Sequence, residues 1–230
     1  MKPPFEVLHV DNHVLAVAKP AGIPVAPDAS GDASLLDLAR AWVRAEFAKP
    51  GEAFLGLVHR LDRPVSGVVV FARTSKGASR LSESFRERSA VKHYWGVAAR
   101  CPTTDAGVVD QWLVKDEVRN VVRVARASED GALHAITRWS VVEERADRCL
   151  IAFEPETGRP HQLRVAAATL GCPLLGDLKY GAHGALPDAS VALHARLLSI
   201  AHPTRPELLH LVAPAPALEI WSFDATRRPG

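Results

Sequence analysis

The segment at residues 59–67 concentrates ionisable side chains next to residues that break regular secondary structure. It reads His-Arg-Leu-Asp-Arg-Pro-Val-Ser-Gly, which puts the Asp62 carboxylate between the cations of Arg60 and Arg63. A carboxylate that acts as a nucleophile or an electrostatic stabiliser must stay ionised, and nearby cations offset the cost of removing it from water. The apolar run at residues 68–72 predicts a buried strand, with Asp62 on the loop before it. A surface turn with a few charges is the alternative.

A second dense segment covers residues 157–164 and reads Thr-Gly-Arg-Pro-His-Gln-Leu-Arg. Pro160 suits the first turn of a helix, and Gly171 suits its end. In such a helix His161 and Arg164 are three residues apart and share one face. The predicted buried stripe consists of Leu163, Ala167 and Leu170.

Length and charge restrict the class of protein. A chain of 230 residues can bury a core as one domain or as two closely joined halves. No apolar run approaches the ~20 residues of a membrane-spanning helix. Residues 60–100 carry nine Lys or Arg and three acidic residues, an excess of +6 in a chain whose net charge is +2. This predicts a face that binds a polyanion, with a solvated helix face as the alternative.

The three cysteines and the absence of common cofactor motifs exclude other classes. Cys101, Cys149 and Cys172 are widely spaced and include no Cys-x-x-Cys pair, which predicts neither a zinc site nor a disulfide. The first residues lack the apolar stretch of a signal peptide. Together these features predict a cytoplasmic protein. The chain contains no P-loop and no G-x-G-x-x-G sequence.

The pattern of apolar residues predicts many short strands and few helices, which is typical of an α+β domain with a largely antiparallel sheet. Strands are predicted at residues 6–10, 14–18, 68–72, 91–97, 108–114, 118–125, 135–142, 149–153, 191–201 and 208–212. One helix is capped by Ser34 and runs to about residue 48, with a buried stripe of Leu35, Leu38, Trp42 and Ala45. Another is capped by Ser75, with an apolar face of Ala78, Leu81 and Phe85.

The segments at residues 59–67 and 157–164 resemble the signature motifs of the RluA family of RNA pseudouridine synthases. The family's first motif reads His-Arg-Leu-Asp, two variable residues, then Ser-Gly or Thr-Ser-Gly, as at residues 59–67. Its later motif, Thr-Gly-Arg-Thr-His-Gln-(Ile/Leu)-Arg, matches residues 157–164, and a Gly-Asp-x-x-Tyr-Gly turn follows at residues 176–181. The likeness runs in the family's order from Leu8 to residues 213–216.

The resemblance implies a pseudouridine synthase-type α+β fold, with a largely antiparallel mixed sheet, flanking helices and a central active-site cleft. It implies a single catalytic domain over residues 1–230, without the separate N-terminal RNA-binding module of many relatives. The implied substrate is a stem-loop of tRNA or ribosomal RNA. The implied protein is a cytoplasmic monomer that needs no cofactor, metal, membrane or obligatory protein partner.

Roles for individual residues also follow from the resemblance. Asp62 matches the catalytic aspartate, Arg164 the arginine that pairs with it, and Tyr94 the tyrosine that lies against the target uracil. Arg60 matches the arginine that fills the base stack when the target nucleotide is flipped out. The residues expected to contact RNA are His59, Arg60, Arg63, Arg159 and His161. Which carbon Asp62 attacks, and whether Tyr94 removes the ring proton, stay open.

The sequence departs from the family pattern at Val65 and Pro160, where the family has threonine. Neither departure removes a catalytic group, so both concern substrate details. A third is Ala166-Ala167-Ala168, where a histidine is often found. Two alternatives belong to other classes. One is a catalytically silent RNA-binding domain of the same fold. The other is a metal-dependent phosphoesterase that uses His59, Asp62, His93 and His161.

Overall fold

The computed structural model describes residues 3–48 and 50–223. The strands are β1 (Glu6–Val10), β2 (Val14–Lys19), β3 (Gly56–Leu57), β4 (Ser66–Ala72), β5 (Val91–Ala98), β6 (Ala106–Asp116), β7 (Val121–Ala125), β8 (Leu133–Glu144), β9 (Cys149–Pro155), β10 (Leu193–Ala201) and β11 (Leu208–Val212). The helices are α1 (Leu35–Glu46), α2 (Ser75–Arg86) and α3 (Gln162–Thr169), with 3-10 turns at Leu178–Tyr180 and Glu219–Trp221. The mostly antiparallel pairing with three helices confirms the predicted α+β class. No helix within these ranges is long and apolar enough to cross a membrane.

The chain divides into two compact units, and both are discontinuous in sequence. Unit 1 comprises Met1–Lys92 and Ala195–Ala215. Unit 2 comprises His93–His194 and Pro216–Gly230. The expectation of a single catalytic domain over residues 1–230 stays a prediction.

Strand β4 is the centre of unit 1, and all seven of its residues are buried. It pairs antiparallel with β2, so that Lys19 lies opposite Gly67. Strand β10 is its neighbour on the other side and carries β11. The buried strand predicted after Asp62 is therefore confirmed. One core cluster of the unit consists of Val14, Ala16, Val68, Val70, Ala72, Leu81, Ala90, Leu198, Ile200, Leu209, Leu211 and Ala213.

Helix α1 begins with a capping box, as predicted from Ser34. The Ser34 hydroxyl accepts a hydrogen bond from Asp37 N at 3.2 Å, and Asp37 Oδ2 accepts one from Ser34 N at 3.4 Å. The predicted stripe through Leu38, Trp42 and Ala45 is wrong, because the first two are half-buried and Ala45 is exposed. The apolar residues of this helix lie on more than one face, and the face that packs against the core is not the predicted one. The buried face consists of Leu35, Leu36, Ala39 and Val43.

Helix α2 is capped by Thr74, one residue before the predicted Ser75. Thr74 has the extended backbone that a cap requires, and its Oγ1 accepts a hydrogen bond from Gly77 N at 3.1 Å. The predicted apolar face is confirmed, since Ala78, Leu81 and Phe85 pack into the core of unit 1.

Unit 2 is built on an antiparallel sheet with the order β5-β9-β8-β6-β7. The predicted hairpin of β6 and β7 is confirmed, with Asp116 opposite Val121. Strand β6 starts at Ala106, two residues earlier than predicted. Helix α3 packs on this sheet through a buried cluster of Leu113, Val122, Ala135 and Val165.

Helix α3 starts two residues later than Pro160 indicates. His161 is its N-cap and has a left-handed backbone with φ of 51°, so Pro160 precedes the helix. The predicted end is confirmed, because Gly171 follows the helix with φ of 72°. Residues 162–167 are all buried, so Arg164 lies in the interior rather than on a polar face. Of the predicted stripe, Leu163 and Ala167 are buried and Leu170 is half-buried.

The prediction that the cysteines form no disulfide is wrong. Cys101 follows β5, Cys149 begins β9, and the two are joined by a disulfide. Antiparallel pairing of these strands puts Ala98 opposite Cys149 and so brings together thiols 48 residues apart in sequence. Cys172 is buried and lies outside this bond.

Candidate active site

Asp62 lies on the irregular loop between β3 and β4, as predicted, and is half-buried. Its carbonyl oxygen accepts a hydrogen bond from Val65 N at 3.0 Å. The exit of the loop depends on Gly67, whose φ is 121°. A Cβ at this position would collide with the backbone of Ala195 in β10, so only glycine lets β4 enter the sheet here.

A buried lysine fastens this loop. Lys19, at the end of β2, is 1% exposed. Its Nζ donates hydrogen bonds to the carbonyl oxygens of Pro20 at 3.0 Å, Ile23 at 2.8 Å and Arg63 at 3.1 Å. Burial lowers the pKa of Lys19 to about 7, although the Asp62 carboxylate raises it and the Arg63 guanidinium lowers it further. The lysine therefore ties the turn after β2 to the residue that follows Asp62.

Arg63, one of the predicted RNA contacts, is engaged within unit 1. Its Nε donates to Gly22 O at 2.9 Å, and Gly22 N donates to Arg63 O at 2.9 Å. Its Nη2 pairs with Asp32, and its Nη1 lies 3.9 Å from Asp28. An RNA phosphate would have to compete with these two carboxylates for Arg63. Arg60, three residues earlier on the same loop, is exposed.

His59, another predicted RNA contact, has a structural role. Its Nε2 accepts a hydrogen bond from Val70 N at 2.9 Å, and its ring stacks on Phe85 with centroids 4.5 Å apart. Burial, followed by the nearby charge of Lys92, lowers the pKa of His59 to about 4. The ring is therefore neutral at neutral pH, and it offers no positive charge to a phosphate.

In unit 2, the second motif folds around the side chain of Gln162. Its Oε1 accepts hydrogen bonds from Thr157 Oγ1 at 2.7 Å and Arg159 N at 3.0 Å. Its Nε2 donates to Ile136 O and to Thr137 Oγ1, both at 2.9 Å. This buried amide closes the loop before α3 into a compact turn and attaches it to β8.

The two predicted RNA contacts in this motif are held by neighbours. Arg159 is half-buried, and its Nε donates to His134 O at 2.9 Å. His161 Nδ1 is hydrogen-bonded to Tyr180 Oη at 2.6 Å. The same oxygen accepts a hydrogen bond from Val122 N at 2.8 Å. Arg159 can still meet RNA through its terminal nitrogens, whereas His161 has one ring nitrogen committed to the tyrosine.

Arg164 forms a buried two-point ion pair with a residue that sequence reasoning missed. Its Nε donates to Asp177 Oδ2 at 2.7 Å, and its Nη2 donates to Asp177 Oδ1 at 2.6 Å. The centre of its guanidinium lies 5.0 Å from the centroid of the Tyr180 ring. The sequence signal for this pair was the Gly-Asp-x-x-Tyr-Gly turn, which contains Asp177 and Tyr180.

Tyr94 lies in β5 opposite Phe153 of β9 and is half-buried. The predicted site residues are divided between the units. Unit 1 contains His59, Arg60, Asp62 and Arg63, and unit 2 contains Tyr94, Arg159, His161 and Arg164. The pairing of Asp62 with Arg164 stays a prediction.

The geometry gives no support to a metal site. Within the described residues, no group of three or more His, Cys, Asp or Glu side chains could hold a metal ion. The metal-dependent phosphoesterase would need such a group from His59, Asp62, His93 and His161.

Comparisons with known proteins give a consistent result. A family model described as RNA pseudouridylate synthase matches residues 13–169. The chain is 37% identical over 197 residues to an uncharacterized RNA pseudouridine synthase of Zymomonas mobilis, covering 85% of this chain and 87% of the relative. It is 33% identical to the dual-specificity RNA pseudouridine synthase RluA of Salmonella typhi, covering 93% and 94%. It is 30% identical to the ribosomal large subunit pseudouridine synthase C of Vibrio cholerae, covering 92% of this chain and 66% of that protein.

Solved structures show the same likeness. Human RNA pseudouridylate synthase domain containing 4 is 29% identical, with a TM-score of 0.77, and the match covers 92% of this chain and 89% of that one. Human RNA pseudouridylate synthase domain containing 1 is 21% identical with a TM-score of 0.73, over 94% of this chain and 85% of that one. The second likeness concerns the fold alone.

Proposed function

The chain belongs to the RNA pseudouridylate synthase family and is therefore an isomerase, and we propose that it converts specific uridines of tRNA or ribosomal RNA to pseudouridine with Asp62 as the catalytic carboxylate. The observation that carries this proposal is the fixed loop around Asp62. Lys19 holds the carbonyl of the next residue, and Gly67 sets the exit of the loop into β4. A carboxylate on such a loop has a defined direction, as a reacting group requires.

The reaction accounts for the kinds of residue present. It breaks the bond between a uracil nitrogen and the ribose, and it joins the ribose to a ring carbon. That carbon loses a proton, and the released nitrogen gains one. No atoms or electrons are gained or lost overall, so the proposed reaction needs no redox cofactor. A carboxylate can serve it as a nucleophile or as a stabiliser of positive charge on the sugar.

Arg164 and Tyr94 are the proposed partners of Asp62 in catalysis, as the family motifs imply. A guanidinium keeps a partly buried carboxylate ionised, and its planar fork suits that task. Tyr94 is half-buried on β5, as expected of a ring that lies against a uracil. The buried position of Arg164, at 5% side-chain exposure, supports a role other than that of a surface helix residue.

Arg60 is the proposed wedge for base flipping. Neither reacting carbon is accessible to a carboxylate while the uridine is stacked, so the nucleotide has to leave the stack, at a cost of about a few kcal/mol. Arg60 is exposed two residues before Asp62, which suits a side chain that fills the vacated place. Arg63 and His59 are better explained as residues that hold the loop, given their contacts within unit 1.

The proposed substrate is a structured RNA, bound by a monomer without metal or cofactor. The relatives are named for dual specificity in one case and for the large ribosomal subunit in another, so tRNA and ribosomal RNA are both candidates. Exposed cations on unit 1 support a polyanion-binding face, since phosphate contacts dominate affinity for RNA. On α2 and just after it these are Lys76, Arg80, Arg86 and Arg88.

The test compares Asp62→Asn with Glu83→Gln, a neutralised carboxylate on the exposed face of α2 in the same unit. Pseudouridines are mapped in total RNA from a strain that lacks the protein and from its parent. The RNA segment whose pseudouridine is absent from the deletion strain then serves as the substrate. Asp62→Asn should abolish pseudouridine formation there and leave RNA affinity within about a few-fold, since phosphate contacts elsewhere supply most of it. Glu83→Gln should retain both.

Turnover by Asp62→Asn near the wild-type rate would remove Asp62 from catalysis. A wild-type protein that binds the RNA and forms no pseudouridine would favour the silent RNA-binding alternative instead. Cleavage of phosphate esters in RNA that a chelator abolishes would favour the metal-dependent phosphoesterase alternative.

A further inference from the structure

Asp177 is a buried carboxylate that the proposed reaction does not use. Its side chain is 1% exposed and that of Arg164 is 5% exposed, so both charges are removed from water. A buried pair recovers its desolvation cost only with good geometry and bonded neighbours. Two parallel hydrogen bonds of 2.7 and 2.6 Å meet the first condition.

The turn that carries Asp177 holds its carboxylate still. Gly176 has φ of 80°, and a Cβ there would collide with the backbone oxygen of Ser190, so glycine is required. The carbonyl oxygen of Asp177 accepts hydrogen bonds from Tyr180 N at 3.0 Å and Ala182 N at 3.1 Å. The position of this aspartate is therefore set by its backbone as well as by the ion pair.

Tyr180 restrains the guanidinium from a second direction. The centre of the Arg164 guanidinium lies 5.0 Å from the ring centroid, within cation–π range. The Tyr180 hydroxyl accepts a hydrogen bond from Val122 N on β7 and is hydrogen-bonded to His161, the N-cap of α3. One phenol thus connects the start of α3, strand β7 and the guanidinium. Asp177 accepts hydrogen bonds from one edge of the guanidinium, and the ring of Tyr180 lies against it.

We propose that Asp177 and Tyr180 are positioning residues that fix the Arg164 guanidinium in one orientation for pseudouridine formation. The proposal rests on the proposed function of the chain. Asp177 takes the Nε–H and one N–H of Nη2, so the remaining three N–H groups, one on Nη2 and two on Nη1, are directed away from Asp177. Fixing one edge gives the other a defined direction, and a misplacement of about 1 Å costs about 100-fold in rate.

A purely structural ion pair would behave differently. It would stabilise unit 2, and its loss would lower the free energy of unfolding while leaving the reaction rate of the folded protein nearly unchanged. A positioning residue should affect the reaction rate, and that effect should disappear once the Arg164 guanidinium that it orients has been replaced. A double-mutant cycle separates the two roles.

The first experiment observes the guanidinium directly. The Nε–H resonance of Arg164 is recorded by NMR in isotope-labelled protein and is assigned by its absence in Arg164→Lys. This N–H should exchange slowly with water in the wild type, because it is buried and bonded to Asp177. Asp177→Asn, which keeps the shape and removes the charge, should speed exchange by at least about 10-fold. Unchanged exchange would overturn the proposal.

The second experiment measures single-turnover rates on the target RNA. Asp177→Asn should lower the rate about 100-fold while the KM changes by less than about 3-fold, since orientation rather than binding is lost. In an Arg164→Lys background the same substitution should cost less than about 3-fold, because lysine has no fork to orient. Equal losses in both backgrounds would overturn the proposal. Tyr180→Phe keeps the ring, loses the hydroxyl, and should show a smaller loss.

Thr169→Ala is the matched control. It removes the Thr169 Oγ1 hydrogen bond to Gln111 Oε1, 3.1 Å long, at the far end of the same helix. This variant should lose stability and keep its rate, which would show that loosening α3 alone does not cause the defect of Asp177→Asn. A loss like that of Asp177→Asn would overturn the positioning role. If the wild type forms no pseudouridine, the proposed function fails, while the exchange of the Arg164 N–H still decides the orientation of that side chain.

Discussion

Lys19→Met isolates the effect of one buried ammonium group on the stability of unit 1. Methionine keeps most of the apolar stem of Lys19 but has no donor. The carbonyl oxygens of Pro20, Ile23 and Arg63 therefore each lose a hydrogen bond. A buried acceptor without a partner costs about 1–3 kcal/mol, and relief from burying a charge offsets part of the cost of three such acceptors. At neutral pH we therefore expect the free energy of unfolding to fall by about 2 kcal/mol or more.

The size of this loss should depend on pH, because burial lowers the pKa of Lys19 from 10.5 to about 7. Below about pH 7 the amine is protonated in the folded and unfolded chains alike, and the cost of burying its charge is fully present. Between that pH and the ordinary pKa, the unfolded chain holds a proton that the folded chain has released. The free energy of unfolding therefore rises with pH across this window, by up to about 1.4 kcal/mol per unit.

The assay is urea unfolding of the wild type and Lys19→Met at several values between about pH 6 and pH 9, followed by circular dichroism. The difference between the two free energies of unfolding should be nearly constant below about pH 7. It should then widen by about 3 kcal/mol over the next two units. Lys76→Met, at an exposed position on α2, supplies the control and should show a small, constant difference.

Parallel curves for the wild type and Lys19→Met across the whole range would refute this reasoning. They would mean that the ammonium stays charged in the folded protein, with its three carbonyl acceptors outweighing the cost of burial. A difference that narrows with rising pH would have the wrong sign and would be equally contrary.

Two further predictions concern the backbone and the disulfide. Cys101→Ser opens a loop that spans 48 residues of sequence and should lower the free energy of unfolding by about 4 kcal/mol by the chain-entropy estimate; a reductant should lower the melting temperature of the wild type and not that of the variant. Equal stability of the two in an oxidising buffer would contradict the bond. Gly67→Ala forces a Cβ into the backbone of Ala195 at a φ of 121° and should cost more than about 3 kcal/mol in thermal unfolding. Gly184→Ala has open space and should be nearly neutral, and similar melting temperatures for the two variants would argue against the close approach.

Features that depend on local sequence could be predicted. The strand after Asp62 follows from a run of β-branched residues, and the cap of α1 follows from Ser34 and Asp37. The α+β class follows from the many short apolar segments, and the motif resemblance implies the same class. These signals need no knowledge of which distant residues meet.

Features that depend on long-range packing could not be predicted in the same way. The two partners Cys101 and Cys149 meet only because β5 and β9 pair, and no spacing in the sequence indicates that pairing. Helix α3 is buried along most of its length, so its apolar residues show no single stripe and Arg164 could not be recognised as buried. Amphipathic patterns predict a face only when another face meets water.

Partners of charged residues were also beyond the reach of the sequence. The resemblance implies Asp62 as the partner of Arg164, which stays a prediction, and the carboxylate that the structure shows bonded to Arg164 is Asp177, thirteen residues along the chain. The residue types of Arg63 and His59 predict RNA contacts, because cations and imidazoles suit phosphates. Their neighbours Asp32 and Val70 were not identifiable without the fold.

The discontinuity of unit 1 in the sequence has a consequence for biosynthesis. Five residues of its core, Leu198, Ile200, Leu209, Leu211 and Ala213, come from the last part of the unit, whereas the loop with Asp62 is synthesised long before them. On the ribosome the N-terminal segment must therefore wait, with part of its apolar surface exposed, until β10 and β11 have emerged. The strands of unit 2 from β5 to β9 are made during that interval, and they can pair before the first unit has a complete core. The order of the chain thus makes the segment with Asp62 one of the last to finish folding. Until β10 has been synthesised, that segment exposes apolar surface of the kind that chaperones bind.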